Sequence, residues 1–73
     1  MGILRVLSGR EACRILEQHG FREVRRRGNN IIMQYQEANS ARTVLVPDHR
    51  ELRVGTLLSV IRQSGVAREI FEE

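Results

Sequence analysis

The spacing of apolar positions changes along the chain, and each change marks an element. Between Ser8 and Gly20, Ala12, Cys13, Ile15, Leu16 and His19 recur at helical spacing on one side, while Arg10, Arg14, Glu17 and Gln18 occupy the other. Ser8 opens this helix, and Glu11 stands three positions later, where its carboxylate can reach back to the Ser8 N–H. Gly20 stops it: a left-handed backbone there lets Phe21 fold against Leu16.

Alternation then replaces the helical period. Phe21–Arg27 is a weakly apolar strand carrying Arg22, Arg25, Arg26 and Arg27, and Gly28-Asn29-Asn30 supplies turn chemistry. In Ile31–Gln36, Ile31, Met33 and Tyr35 share one side and are expected against the helices. Asn30, Ile32, Gln34 and Gln36 are expected to face outward or towards a partner, with Ile32 as an exposed apolar spot. The segment Glu37–Ala41 has no apolar pattern and reads as a loop.

The stretch from Ala41 to Val66 organises the rest. Arg42–Val46 is rich in β-branched residues and is closed by Pro47, which lacks the N–H that an inner strand needs. After the charged turn Asp48-His49-Arg50-Glu51, a helix is expected from about Arg53 to Ser64, with Val54, Leu57, Leu58 and Ile61 covering the strand. Its start lacks a clean cap. At its end Gly65, Val66 and Ile61 repeat the pattern of Gly20, Phe21 and Leu16, so both helices are expected to end alike. Ala67–Phe71 reads as one more helical turn, anchored by Val66, Ile70 and Phe71.

The fold class is therefore α+β: helix, a three-stranded antiparallel meander, helix, with both helices on one face and a short C-terminal helical turn. Residues 8–71 are expected to form a single domain, preceded by an arm over 1–7, either lying on the domain or disordered, and followed by a tail over 72–73. With 73 residues, such a domain buries only about 60–65 % of the surface its unfolded chain exposes. A deep enzyme cleft is excluded, so any site is shallow and built on a sheet face or groove.

Charge narrows the partners. All 12 basic residues are arginine, against 9 acids, and Glu69, Glu72 and Glu73 leave the positive charge ahead of the tail. Arginine suits bidentate recognition of phosphate, although GC-rich coding would also replace lysine. Cys13 is the only cysteine, which excludes an intrachain disulfide and a cysteine-rich metal site. It reads as a buried small hydrophobe. The apolar N-terminus is interrupted by Arg5 and is too short to cross a membrane. A reducing, cytoplasmic setting is expected, without metal or cofactor.

Ser8-Gly9-Arg10-Glu11, Gly20-Phe21, Arg25-Arg26-Arg27-Gly28, Val46-Pro47 with His49 and Glu51-Leu52, and Gly55-Thr56-Leu57 with Ile61–Gly65 together resemble the HicA family. The resemblance runs from about Leu7 to Phe71. It implies a fold like that of double-stranded-RNA-binding domains, metal-free cleavage of messenger RNA, and a HicB-like antitoxin as inhibitory partner. The family carries Gly-Ser-His at the entry to its second strand, the His being regarded as catalytic. This chain has Gly28-Asn29-Asn30 there, so Asn30 occupies the His position.

That difference is chemical. Metal-free RNA cleavage needs a proton removed from the ribose 2′-OH or given to the leaving oxygen, which a near-neutral His can do. An Asn amide hydrogen-bonds but does not titrate, so Asn30 is expected to hold RNA without cutting it. His49, in the charged turn, is the candidate replacement in an active ribonuclease. Arg25, Arg26, Arg27, Gly28, Asn29 and Asn30 are the expected RNA contacts, although alternation puts Arg26 on the opposite side from Arg25 and Arg27. Ile32 and Gln34 are the expected partner contacts. With only Phe21, Tyr35 and Phe71 as aromatics, base stacking is a poor fit, and shape and phosphate contact fit better. A protein-interaction module without RNA function is the alternative of a different class.

Overall fold

In the computed structural model, which describes residues 2–73, α1 (Gly9–Gln18) leads into β1 (Arg22–Arg27), β2 (Asn30–Gln36) and β3 (Ala41–Pro47), then α2 (Val54–Ser64) and a 3₁₀ helix (Arg68–Phe71). The strands form one antiparallel sheet in the order β1-β2-β3. This is the α-β-β-β-α arrangement expected from the apolar periods. Ile31 and Met33 of β2 and Val44 and Val46 of β3 share a core with Ala12, Cys13, Ile15 and Leu16 of α1 and Leu57, Val60 and Ile61 of α2, so both helices cover the same sheet face.

Local chemistry sets the ends of α1. Ser8 Oγ accepts from the Glu11 N–H at 3.0 Å, and Glu11 Oε1 accepts from the Ser8 N–H at 2.8 Å, completing the capping box. Hydrogen bonding to the Ser8 N–H first, and to the Ser8 hydroxyl second, holds the Glu11 carboxyl below its usual pKa. At the other end Gly20 has φ +93°, and the Phe21 N–H returns to the Leu16 carbonyl at 3.0 Å, a Schellman ending. His19 is not on the buried side as expected. It is the cap residue, with φ −112° and ψ 24°, and that departure from helical geometry takes it out of the apolar stripe and leaves it exposed.

Helix α2 departs from expectation in two ways. Its buried positions are Leu57, Val60, Ile61 and Ser64, whereas Val54 is 63 % exposed and Leu58 is also exposed. The helix packs chiefly against the edge strand β3, and that contact selects a stripe rotated from the one the sequence favours. Nor do the helices end alike. Gly65, at φ +71°, donates to the Ile61 carbonyl at 3.1 Å, but the Val66 N–H goes to Ser64 Oγ at 3.0 Å. The serine hydroxyl takes the amide that a second Schellman bond would have used.

The terminal segments meet. Leu4 bridges Glu72, the Arg5 N–H donates to the Phe71 carbonyl at 2.9 Å, and the Leu52 N–H donates to the Leu7 carbonyl at 2.8 Å. Leu7 and Phe71 are both buried in the core, so the described part of the arm lies on the domain and its last residue belongs to the packing. Met1 lies outside the described residues. Tyr35 shares the inner face of β2 but stays 39 % exposed, its ring set against Phe21 at the rim rather than filling the core.

Ile32 overturns a further expectation. It is on the face opposite the helices, yet it is only 3 % exposed. On the central strand it has a neighbour on each side, Arg25 of β1 and Leu45 of β3 standing directly opposite. Leu45, on that same face, is exposed at 46 %, because an edge strand has a neighbour on one side only.

Candidate nucleic-acid interface

The candidate residues gather where the β1–β2 turn meets the chain leaving β3. Arg27 and Asn30 are partners across a two-residue turn, Gly28-Asn29, in which only Gly28 has positive φ, +61°. Glycine at the first central position matches a type II′ hairpin, whose twist suits the flanking strands. No atom of the described residues crowds the place of a Gly28 Cβ, so the dihedral angle alone demands glycine there.

Register distributes the arginines. Arg26 stands opposite Ile31 and shares the helix-covered face, whereas Arg25 opposite Ile32 and Arg27 opposite Asn30 face outward. Arg26 does not join that outer group. Its Nη1 donates to Asp48 Oδ2 at 2.8 Å, and its Nε lies 3.6 Å from Glu23 Oε2. Arg10 Nη2 reaches the same Asp48 oxygen at 3.5 Å. The Arg26 hydrogen bond holds the Asp48 carboxyl below its ordinary pKa, and Asp48 in return raises that of Arg26.

Asp48 is thus a tie between segments, a role that reading the sequence missed. Its side chain joins β1 and α1, while its N–H donates to the Asn29 carbonyl at 2.8 Å and holds the turn. His49 follows, with its N–H on the Pro47 carbonyl at 2.9 Å and its carbonyl taking the Gly9 N–H at 2.9 Å. The backbone of His49 is therefore anchored, its side chain is exposed, and Pro47 is the β3 partner of Asn30. Asn30 and His49 belong to the same end of the sheet. Gly9 allows the close approach of α1, since a Cβ there would overlap the Pro47 carbonyl oxygen.

The outer sheet face is unbalanced in charge. Glu23 is the only acid in the three strands, and opposite Met33 it faces the helices. Arg22, Arg25 and Arg27 have no carboxylate within ion-pair distance among the described residues, whereas Arg10, Arg26, Arg42 and Arg68 each do. Gln34 is partly buried, its Nε2 donating to Thr43 Oγ1 across the strands at 3.3 Å. Leu45 is the other residue that the sequence reading passed over, though alternation with the buried Val44 and Val46 signals it. Such a face offers guanidinium groups and amides to a polyanion, without an exposed aromatic for stacking. Cys13, by contrast, is buried on the inner face, and desolvation pushes its thiol up to about 11, which makes it a poor nucleophile.

Fold and site together define a small α+β domain with a basic sheet face beside a structured turn. The family model of the HicA toxin of bacterial toxin–antitoxin systems matches residues 9–66, from the first residue of α1 to just beyond α2. The chain belongs to that family, and membership implies a toxin–antitoxin system with an antitoxin partner. No curated protein matches the sequence. No helix among the described residues is long and apolar enough to cross a membrane.

Proposed function

We propose that this chain is a HicA-type toxin domain that binds RNA, a HicB-like antitoxin, or both, and whose ribonuclease activity is lost or impaired. RNA would lie on the outer sheet face, with Arg25 and Arg27 on phosphates and Gly28, Asn29 and Asn30 at the turn. The observation that carries this reading is Asn30 itself. It is the first residue of β2, on the same face as Arg27, where the family's resemblance places the catalytic His. Its amide can hold a hydroxyl or phosphate oxygen but moves no proton. Loss of a positioned acid or base removes a factor of about 10² to 10⁴ in rate.

The test compares cleavage of structured and unstructured RNA by this chain and by Asn30→His. Activity confined to the His form supports the reading, and equal rates in both defeat it. The second reading, an active metal-independent ribonuclease using His49, draws on the short Pro47–His49 turn that keeps His49 near the strand partner of Asn30. It requires that His49→Gln abolish cleavage by the unaltered Asn30 chain. A protein-interaction module without RNA function is separated by salt: phosphate binding weakens steeply as salt rises, and an apolar contact does not.

A further inference from the structure

The two edges of the sheet are finished differently. On β3 the Leu45 N–H points away from β2, and Gln63 Oε1 of α2 accepts it at 3.1 Å. Leu45 and Ile32 are therefore a non-bonded pair of the ladder, so Ile32 directs its backbone groups to Arg25 on its other side. One residue along β1, the same alternation turns the N–H and C=O of Arg26 outward. No turn, loop or side-chain group among the described residues accepts from that amide, and all six residues of β1 are exposed. Edge β3 is capped by a side chain; edge β1 is open.

An open edge is a template for an added strand, and charge decides which strand fits. A second copy of β1 would set arginine against arginine, and the bulge between Glu23 and Arg25 further disturbs self-pairing. An acidic strand matches instead, since Arg25 and Arg27 face outward without carboxylate partners among the described residues. On the helix side the edge borders a cleft of about 140 Å³ between α1 and β1, walled in part by Arg10, Cys13, Arg14 and Glu23. Small side chains on alternate positions of an added strand would fit there.

We propose that the β1 edge docks an extended, acidic segment of a partner protein, which adds as a fourth strand beside Arg25–Arg27. Its carboxylates lie over Arg25 and Arg27, and its small side chains point to the cleft. The proposal stands apart from the RNA reading, because RNA has no amide ladder to offer. It needs only a protein partner of the kind that a toxin–antitoxin family implies.

The probe is an eight-residue peptide of alternating Glu and Thr, titrated to millimolar concentration into the whole chain labelled for amide NMR. The expected result is saturable binding with slowed exchange of the Arg26 amide. The same peptide with proline at its centre keeps its charge and fails to bind, and Arg25→Gln with Arg27→Gln weakens binding about tenfold. Equal binding by the proline peptide would mean charge attraction alone and would overturn the proposal. So would absence of binding, an unprotected Arg26 amide at saturation, or equal protection of that amide by an RNA oligonucleotide.

Discussion

Arg26 and Asp48 are joined by a 2.8 Å hydrogen bond between residues 22 positions apart. The bond fastens the middle of the arginine run in β1 to the residue that follows β3, and it does so on the helix-covered side. Three consecutive arginines therefore do two jobs: Arg26 holds the sheet end together, while Arg25 and Arg27, on the other face, have no carboxylate partner among the described residues.

The tie gives stability a pH dependence. The Asp48 carboxyl is depressed in the folded chain, so its contribution is present above the unfolded value, about 3.9, and disappears as pH falls through the lower folded value. Thermal midpoints measured from pH 2 to 6 should fall on the acid side in the unaltered chain. Asp48→Asn should show a shallower fall, and an unchanged profile would mean that Asp48 is not tied in solution.

The split of the arginines gives RNA binding a signature. On the proposed reading, Arg25→Gln and Arg27→Gln each reduce the slope of log affinity against log salt by about one. Arg26→Gln should leave that slope nearly unchanged and instead loosen the turn, seen as faster amide exchange at Asp48, whose N–H is bonded to Asn29. Filter binding at several salt concentrations measures the first effect.

Gly9→Ala should cost about 3 kcal/mol, since a methyl group would overlap the Pro47 carbonyl oxygen and neither α1 nor the end of β3 can yield alone. Chemical denaturation measures the loss. A cost below about 0.5 kcal/mol would show that the two segments separate easily.

Ile32→Ala should cost about 2–4 kcal/mol, because the side chain is buried although it lies opposite the helices. Leu45→Ala, on the same face but half exposed, should cost clearly less. Denaturant midpoints of the two variants make the comparison. The reverse order would restore Ile32 as a surface residue.

Most of the architecture was legible because each element carries its own local code. The Ser8–Glu11 box, the Gly20 stop and the alternation of Ile31 and Met33 depend on contacts within a few residues, and these hold wherever the element ends up. The arginine run was legible as a charge pattern, and alternation foretold that Arg26 would part from Arg25 and Arg27.

What the chain's own order left open was decided by neighbours distant in sequence. Ile32 and Leu45 are both outward residues, and only the place of β2 between two strands buries one and exposes the other. Which stripe of α2 is buried followed from its seat against β3, and the role of Asp48 from the meeting of β1, α1 and the turn. Apolar period and capping are local and can be read along one dimension. Burial and charge pairing depend on what lies across the gap, and only packing brings that partner there.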